Sequence, residues 1–571
     1  MDLCQSYTNL HNYNINLSNK QETAKTITTI NFDHPVFESV FDSKVKNFQF
    51  PKVETYYNLS SSSEPILKFE NESAFLTSNN NVFVFSSALN KENSNFINSP
   101  LIVPTLYNIG KQSLKQPKLF YHIGKENSVD VNIKLTNDAI LKLENTEDHD
   151  TALFKILEGN KFDTRREDGN IKMAFAQADK IIERTYESPF LPHNCMEPMN
   201  FYANVTQTKV HLVGPIQTPA WTVGKIAKLL DRDPKEIHLE MTRMGGGFGR
   251  RLYGDFAEEA AQISNITKKP IKVVFSREDD MAAGTYRPAI KYRIKASIKD
   301  GKITGYHLKE AAINGNMYGL IANFFPAGCI PNYKVSTANY KSKITTGAWR
   351  APYTNFLAFA EQSFFNELAT ELDKDHPTLL IELLQNVKGT KDERIQYSPE
   401  RMEETIKLAV KKSNWGNTTE GTYQGFSAYY SHNTHVAEVA DIVMKNGMPL
   451  VKKVTVAVDC GIVVNPLGAK NQVEGGVIDG IGHAMYGDFS FKEGTPQAVN
   501  FDNYRLIRMQ ETPEVSTHFV ESGLSPTGLG EPGLPPAGGA VANAIHTATG
   551  ERLLKQPFIN ELEMSKSKIL G

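Results

Sequence analysis

The chain has almost no cysteine. Four thiols (Cys4, Cys195, Cys329, Cys460) are scattered through 571 residues, and no CxxC pair occurs. That excludes a four-cysteine iron–sulfur cluster held by this chain and most structural zinc sites, and it supplies no disulfide framework. A basic excess is missing as well. With 62 Lys and Arg against 64 Asp and Glu, the formal net charge is −2, so nothing is left over to neutralise phosphates and general nucleic-acid binding is excluded. No apolar run reaches the roughly 18–20 residues that span a bilayer. The opening stretch MDLCQSYTNLHNYNINLSNKQ has neither a basic nor an apolar region, so no signal peptide is expected and the cytoplasm is the default compartment.

Glycine is absent before Gly110 and becomes frequent from about residue 147. This asymmetry divides the chain. The first part is rich in Asn, Ser, Lys and Phe, and its short apolar-aromatic runs, NVFVFSSAL and SPLIVPTLYNI, are broken by polar clusters, which predicts a mostly β segment over residues 1–146. Beyond it, IKYRIKASIKDGKITGYHL alternates on both sides of Asp300-Gly301, and AEVADIVMKNGMPLVKKVTVAVD does so around Asn446-Gly447, predicting two hairpins. Apolar residues at helical spacing predict helices near 255–265, 361–373 and 402–412. The remainder therefore reads as α+β with antiparallel hairpins and helices, in two domains, 147–385 and 386–571. The stretch LENTEDHDTALF at the junction is expected to be an exposed linker.

Five pieces carry chemistry. MGGGFGRR places Gly245, Gly246, Gly247 and Gly249 around Phe248, between a strand (IHLEMTRM) and a helix (DFAEEAAQI). Such a link aims free N–H groups at one point, which suits a phosphate or an anionic oxo group; a tight, closely packed turn explains it equally well. A dinucleotide fingerprint is disfavoured because Arg250 stands where its last glycine belongs. In GLGEPGLPPAGGAVANAI, Glu531 is the only charge in a rigid Gly/Pro frame that includes Gly530, ahead of an Ala-rich helix. Burial there would raise its pKa towards the range of a general base; a solvated glutamate at a helix entry is the plainer alternative. VDCGIVVNPLGAKNQVEGGVIDGIGHAMYGD predicts a strand ending at Asp459 and then a helix carrying Gln472, Glu474, Gly475 and Gly476, with Gly480 and Gly482 on a small-residue face. LPHNCMEPMNFYANV contains His193, which alone reads as a packed or surface histidine. TTGAWRAPYTNF sets Arg350 ahead of a helix, where a guanidinium can hold an anion or a substrate carbonyl.

Taken together and in this order, these pieces resemble the molybdenum-binding large subunit of the xanthine dehydrogenase/aldehyde oxidase family, in its isoquinoline 1-oxidoreductase β-subunit form. The resemblance covers about residues 147–560 and rests on the glycine loop with HNCMEP, WRAP, NQVEGG and GLGEPG. It implies two molybdopterin-binding domains and a molybdenum–molybdopterin cofactor, usually the cytosine dinucleotide in bacteria, with the metal held by the pterin dithiolene rather than by side chains. It implies oxidative hydroxylation of an N-heteroaromatic or aldehyde, with water as the oxygen source and electrons leaving through a small [2Fe–2S] subunit. By the same resemblance, Glu531 is the active-site base, Gln217 in GPIQTPAW faces the molybdenum oxo group, and Arg350 lies near the metal. Gly245, Gly246, Gly247, Phe248 and Gly249 line the centre, and Gln472, Gly476 and Gly530 belong to the cofactor cradle. The family also leaves a periplasmic location open.

Two departures stand out. The isoquinoline type begins with a segment bearing a GQG cofactor contact, and no GQG occurs in this chain. In its place, residues about 30–135 resemble part of the BatA-type aerotolerance proteins, so the chain reads as a fusion. Besides an active enzyme, the sequence admits an inactive relic lacking part of the cofactor cradle, or a cell-envelope interaction protein.

Overall fold

The computed structural model describes residues 15–32, 34–37, 49–61, 64–79, 82–113, 144–315 and 321–570; the leader expectation for the first residues and part of the BatA-like stretch lie outside them. The chain divides into two compact units, residues 1–139 and 140–571.

The first unit is built mainly from short strands. Ile15–Gln21 pairs antiparallel with Tyr56–Ser61, and a five-stranded sheet runs in the order Lys52–Val53, Lys25–Ile30, Leu67–Phe69, Ala74–Asn79, Val82–Phe85. Its core is aromatic, with the Phe75 ring against Phe69 at 5.5 Å and against Phe96 at 5.1 Å. One expectation fails here. SPLIVPTLYNI is not a strand but the start of a helix, Ile102–Ser113. Pro104 falls in its first turn, where a missing N–H costs nothing. Leu101 and Thr105 are both buried, which is helical spacing rather than alternation.

The second unit contains three larger sheets. A four-stranded sheet has the order Ile237–Met241, Val210–Gly214, Asn200–Val205, Ile271–Val274, and buries one face under the helices Pro219–Leu230 and Asp255–Thr267. A five-stranded sheet runs Asp163–Asp168, Asn332–Tyr340, Lys302–Ile313, Ile290–Lys299, Lys180–Ser188. The third runs Thr422–Ser431, Thr434–Lys445, Met448–Asp459, Glu514–Phe519. The last two share one large core with the helices Leu357–Glu371, Pro466–Tyr486 and Pro535–Thr549. Both expected hairpins form. Their turns take the positive φ that Asp-Gly and Asn-Gly tolerate: 49° and 68° at Asp300 and Gly301, 53° and 70° at Asn446 and Gly447.

The junction stretch differs from its expectation. LENTEDHDTALF leads into a helix, Thr146–Glu158, whose His149, Leu153 and Leu157 are buried at a spacing of four. Glu144 accepts hydrogen bonds from Lys343 N–H at 3.0 Å and from the Ser342 hydroxyl, and lies 2.8 Å from His149 Nε2. Thr146 Oγ1 accepts from Phe491 N–H at 2.8 Å. This segment is part of the second unit's packing, not an exposed linker.

Candidate functional site

The strand Ile237–Met241 leads into the glycine loop, and the turn Arg250–Leu252 leads out of it to the helix at Asp255. The loop is pinned from behind. Arg250, 2 % exposed, bonds both carboxylate oxygens of Asp255, at 2.5 and 2.7 Å. Arg251, fully buried, donates to Gly246 O at 2.7 Å and Glu197 O at 2.8 Å. The Glu197 carboxylate accepts Gly245 N–H at 2.6 Å. Gly249 has φ 107°, and a Cβ there would sit 2.0 Å from Ala348 O, so only glycine fits. Gln217 accepts from Gly249 N–H at 3.3 Å and packs against Gly247. With the loop held this way, Phe248 projects outward, 38 % exposed, at a φ of 50° that is costly for a bulky residue.

Arg350 joins the motifs. Its N–H donates to Phe248 O at 2.9 Å, and its guanidinium lies 5.7 Å from the centre of the Phe248 ring. Nη1 reaches Gly475 O at 3.3 Å and Asp479 Oδ2 at 3.1 Å; Nη2 reaches Gly530 O at 3.0 Å. Gln472 donates to the same Gly530 carbonyl at 2.7 Å. The next N–H along, that of Ala351, donates to Glu531 Oε1 at 2.9 Å, while His432 Nε2 lies 2.7 Å from Glu531 Oε2. Gly476 and Gly480 let the helix Pro466–Tyr486 meet the segment after Glu531 backbone to backbone: a Cβ on Gly480 would come within 2.6 Å of Leu534 O.

These groups border a cleft of about 610 Å³ lined by Gly245, Gly246, Phe248, Arg350, Gln472 and Asp479, with His193, Trp349, His483 and Arg505 completing its walls. Gln217, Gly247, Gly249, Gly476, Gly530 and Glu531 stand behind or beside this lining. His193 is buried, bonded to Ala348 O at 2.7 Å, and burial pushes its pKa down to about 4. Burial likewise holds His483 well below the usual imidazole range. Both imidazoles are neutral at physiological pH, so the cations of the cleft are Arg350, paired with Asp479 at 3.1 Å, and Arg505, paired with Glu511. Among the described residues, the N–H groups of Gly246 and Phe248 make no hydrogen bond within the chain. Two free donors, two guanidiniums and an exposed aromatic face fit a flat, hydrogen-bonding, anionic group, as a pterin with its phosphate is.

Glu531 departs from its expectation. Burial acts to raise its pKa, but the hydrogen bond and electrostatic interaction with His432, the Ala351 N–H and Arg350 outweigh it, and the carboxyl lies below its ordinary value. Its side chain is 33 % exposed. Glu197, Arg251, Asp479 and His432 were missed in the sequence. Glu197, Arg251 and Asp479 lie inside the quoted motifs; His432, at a hairpin tip, carries no local signal.

The class of protein is defined by two family matches within the second unit, which also carries the cleft. Residues 154–380 and 380–513 match two molybdopterin cofactor-binding domain families. The chain belongs to the molybdopterin-binding large subunits of the xanthine dehydrogenase family. It is 26 % identical over 427 residues to a membrane-bound aldehyde dehydrogenase [pyrroloquinoline-quinone] of Gluconacetobacter polyoxogenes, covering 68 % of this chain and 55 % of that one. It is 26 % identical over 431 residues to the isoquinoline 1-oxidoreductase subunit beta of Brevundimonas diminuta, covering 70 % and 52 %. The chain thus spans about half the length of these curated relatives. Its fold is that of quinoline 2-oxidoreductase from Pseudomonas putida 86, with TM-score 0.61 at 12 % identity over 71 % of this chain and 78 % of that one. It is also that of the aldehyde oxidoreductase of Desulfovibrio gigas, with TM-score 0.60 at 15 % identity over 71 % and 63 %. Among the described residues, no helix is long and apolar enough to cross a membrane.

Proposed function

We propose that this chain is the cofactor-bearing subunit of a molybdenum hydroxylase acting on an N-heteroaromatic or aldehyde. The reaction replaces a substrate C–H by C–OH, takes the oxygen from water, and releases two protons and two electrons. The observation that supports it most is the meeting at Arg350, which ties the glycine loop, the Gln472 helix and the Glu531 loop around one cleft. When bound, molybdenum–molybdopterin, in its cytosine dinucleotide form, supplies the two-electron redox chemistry.

The chain's own residues bind, orient and move a proton. The N–H groups of Gly246 and Phe248, the Gln472 amide and Arg350 would hold the cofactor, with the exposed Phe248 ring in the same cleft. Gln217 steadies the loop from behind through Gly249. Glu531 Oε1 and Oε2 are held by Ala351 N–H and His432, so the carboxylate is kept below its ordinary pKa and oriented to take a proton. Electrons leave through a separate [2Fe–2S] subunit. Such a cluster takes four cysteine thiolates, and the four cysteines of this chain are widely scattered with no CxxC pair.

Glu531→Gln preserves shape and removes the base. Turnover should fall by about two to four orders of magnitude while bound molybdenum is unchanged. Loss of metal together with activity would make Glu531 a structural residue and remove it from the mechanism.

A further inference from the structure

Two imidazoles and a carboxylate meet on the outer face of the four-stranded sheet, and none of them lines the cleft. His211 and His238 are cross-strand partners in the parallel pair Val210–Gly214 with Ile237–Met241, and Glu240 lies two residues beyond His238. Side chains alternate along a strand, so residues 211, 238 and 240 share one face while Val210, Leu212 and Ile237 enter the core on the other. Both rings aim Nε2 at one oxygen: His211 Nε2 is 2.9 Å and His238 Nε2 3.2 Å from Glu240 Oε1. The two rings stack at 5.7 Å, and the Tyr202 ring meets His211 edge-on at 5.9 Å, fixing its plane.

We propose that His211, His238 and Glu240 form a binding site for a divalent transition metal of the zinc class on this face. Their ligand atoms all lie within 4.8 Å of one another, and no other group of three His, Cys, Asp or Glu among the described residues comes this close. Around a tetrahedral ion with bonds of about 2.0–2.2 Å, neighbouring ligand atoms stand roughly 3.3–3.5 Å apart. The two nitrogen–oxygen separations, 2.9 and 3.2 Å, need to open by a few tenths of an ångström to admit the ion, and the two imidazole nitrogens lie within 4.8 Å of each other. Two imidazole nitrogens and one carboxylate oxygen suit Zn²⁺, Ni²⁺ or Cu²⁺ rather than Mg²⁺ or Ca²⁺, and water completes the shell. The His211 and His238 side chains are 42 % and 72 % exposed, so an ion reaches them without rearrangement. Binding would clip the edge strand Ile237–Met241 to its neighbour. That strand leads directly into the glycine loop, so the ion would steady the loop from outside.

The test is calorimetric titration of the full chain with Zn²⁺ after dialysis against a chelator, with electron paramagnetic resonance of the Cu²⁺-loaded protein. The wild type should bind Zn²⁺ saturably, show nitrogen hyperfine structure from two imidazoles with Cu²⁺, and melt higher when Zn²⁺ is added. His238→Asn, at an exposed position that leaves the fold intact, should abolish all three effects, and Glu240→Gln should weaken the affinity. Glu531→Gln, beside the cleft and away from this face, should leave them unchanged. Equal Zn²⁺ binding in His238→Asn and wild type, or no saturable binding in the wild type, would overturn the site. Binding without any rise in melting temperature would overturn its role as a clip.

Discussion

The Glu531 carboxyl lies below its ordinary value, and His432 is the largest of the groups that lower it. Burial pushes the carboxyl upward; the His432 contact, the Ala351 N–H and Arg350 act downward, and the balance lies below the ordinary value. The sign for stability follows. A carboxyl depressed in the fold contributes above its unfolded pKa and loses that contribution as pH falls through the folded value. At one-third exposure the contribution is screened by solvent, and its effect on activity is the better readout. The acid limb of kcat/KM should therefore fall below the ordinary carboxylate range in the wild type. His432→Asn should move that limb to higher pH while leaving the alkaline limb in place. An unshifted acid limb would separate His432 from the base. Backbone strain gathers at the same place: Phe248, Ala351 and Tyr353 have φ of 50°, 57° and 70°. Side chains rarely adopt such values, and they persist only where surrounding contacts enforce them.

Among the elements, the glycine loop is the most sensitive to change. Gly249→Ala combines an unfavourable φ with a Cβ placed against the Ala348 carbonyl. Forcing that conformation costs on the order of 1–3 kcal/mol, and the backbone must shift besides. We expect a lower melting temperature together with loss of bound pterin, read by thermal unfolding and by fluorescence of the released cofactor. Normal pterin content would show that the loop does not shape the cradle. The loop's place between the strand Ile237–Met241 and the helix at Asp255 was legible in the sequence, although its four glycines alone fit a ligand's approach and a tight packed turn equally well. The hairpins were legible because Asp-Gly and Asn-Gly satisfy positive φ. The helix Ile102–Ser113 was not, since a short apolar-aromatic run satisfies either period when its buried positions are unknown. The environment of Glu531 was hidden for another reason: His432 reaches it from a hairpin remote in sequence, and no local pattern encodes that meeting.

In the molecule as a whole, the second unit begins earlier than its composition implies. Residues 144–158 read as a charged linker because acidic residues cover the helix's outer face, yet His149, Leu153 and Leu157 fill the second unit's packing. A chain truncated to begin at Gly159 should melt well below one beginning at Ile140, since burying two leucines contributes about 3–6 kcal/mol. Equal melting temperatures would mean that the helix Thr146–Glu158 adds nothing. The central claim is that the cleft around Arg350 holds a molybdenum cofactor. The most direct test is elemental and pterin analysis of the purified full-length chain beside Arg350→Ala. The account predicts stoichiometric molybdenum and pterin in the wild type, with cytidine monophosphate released on hydrolysis, and a large loss of both in the variant. A wild-type chain carrying neither, when isolated from cells that make the cofactor, would contradict it.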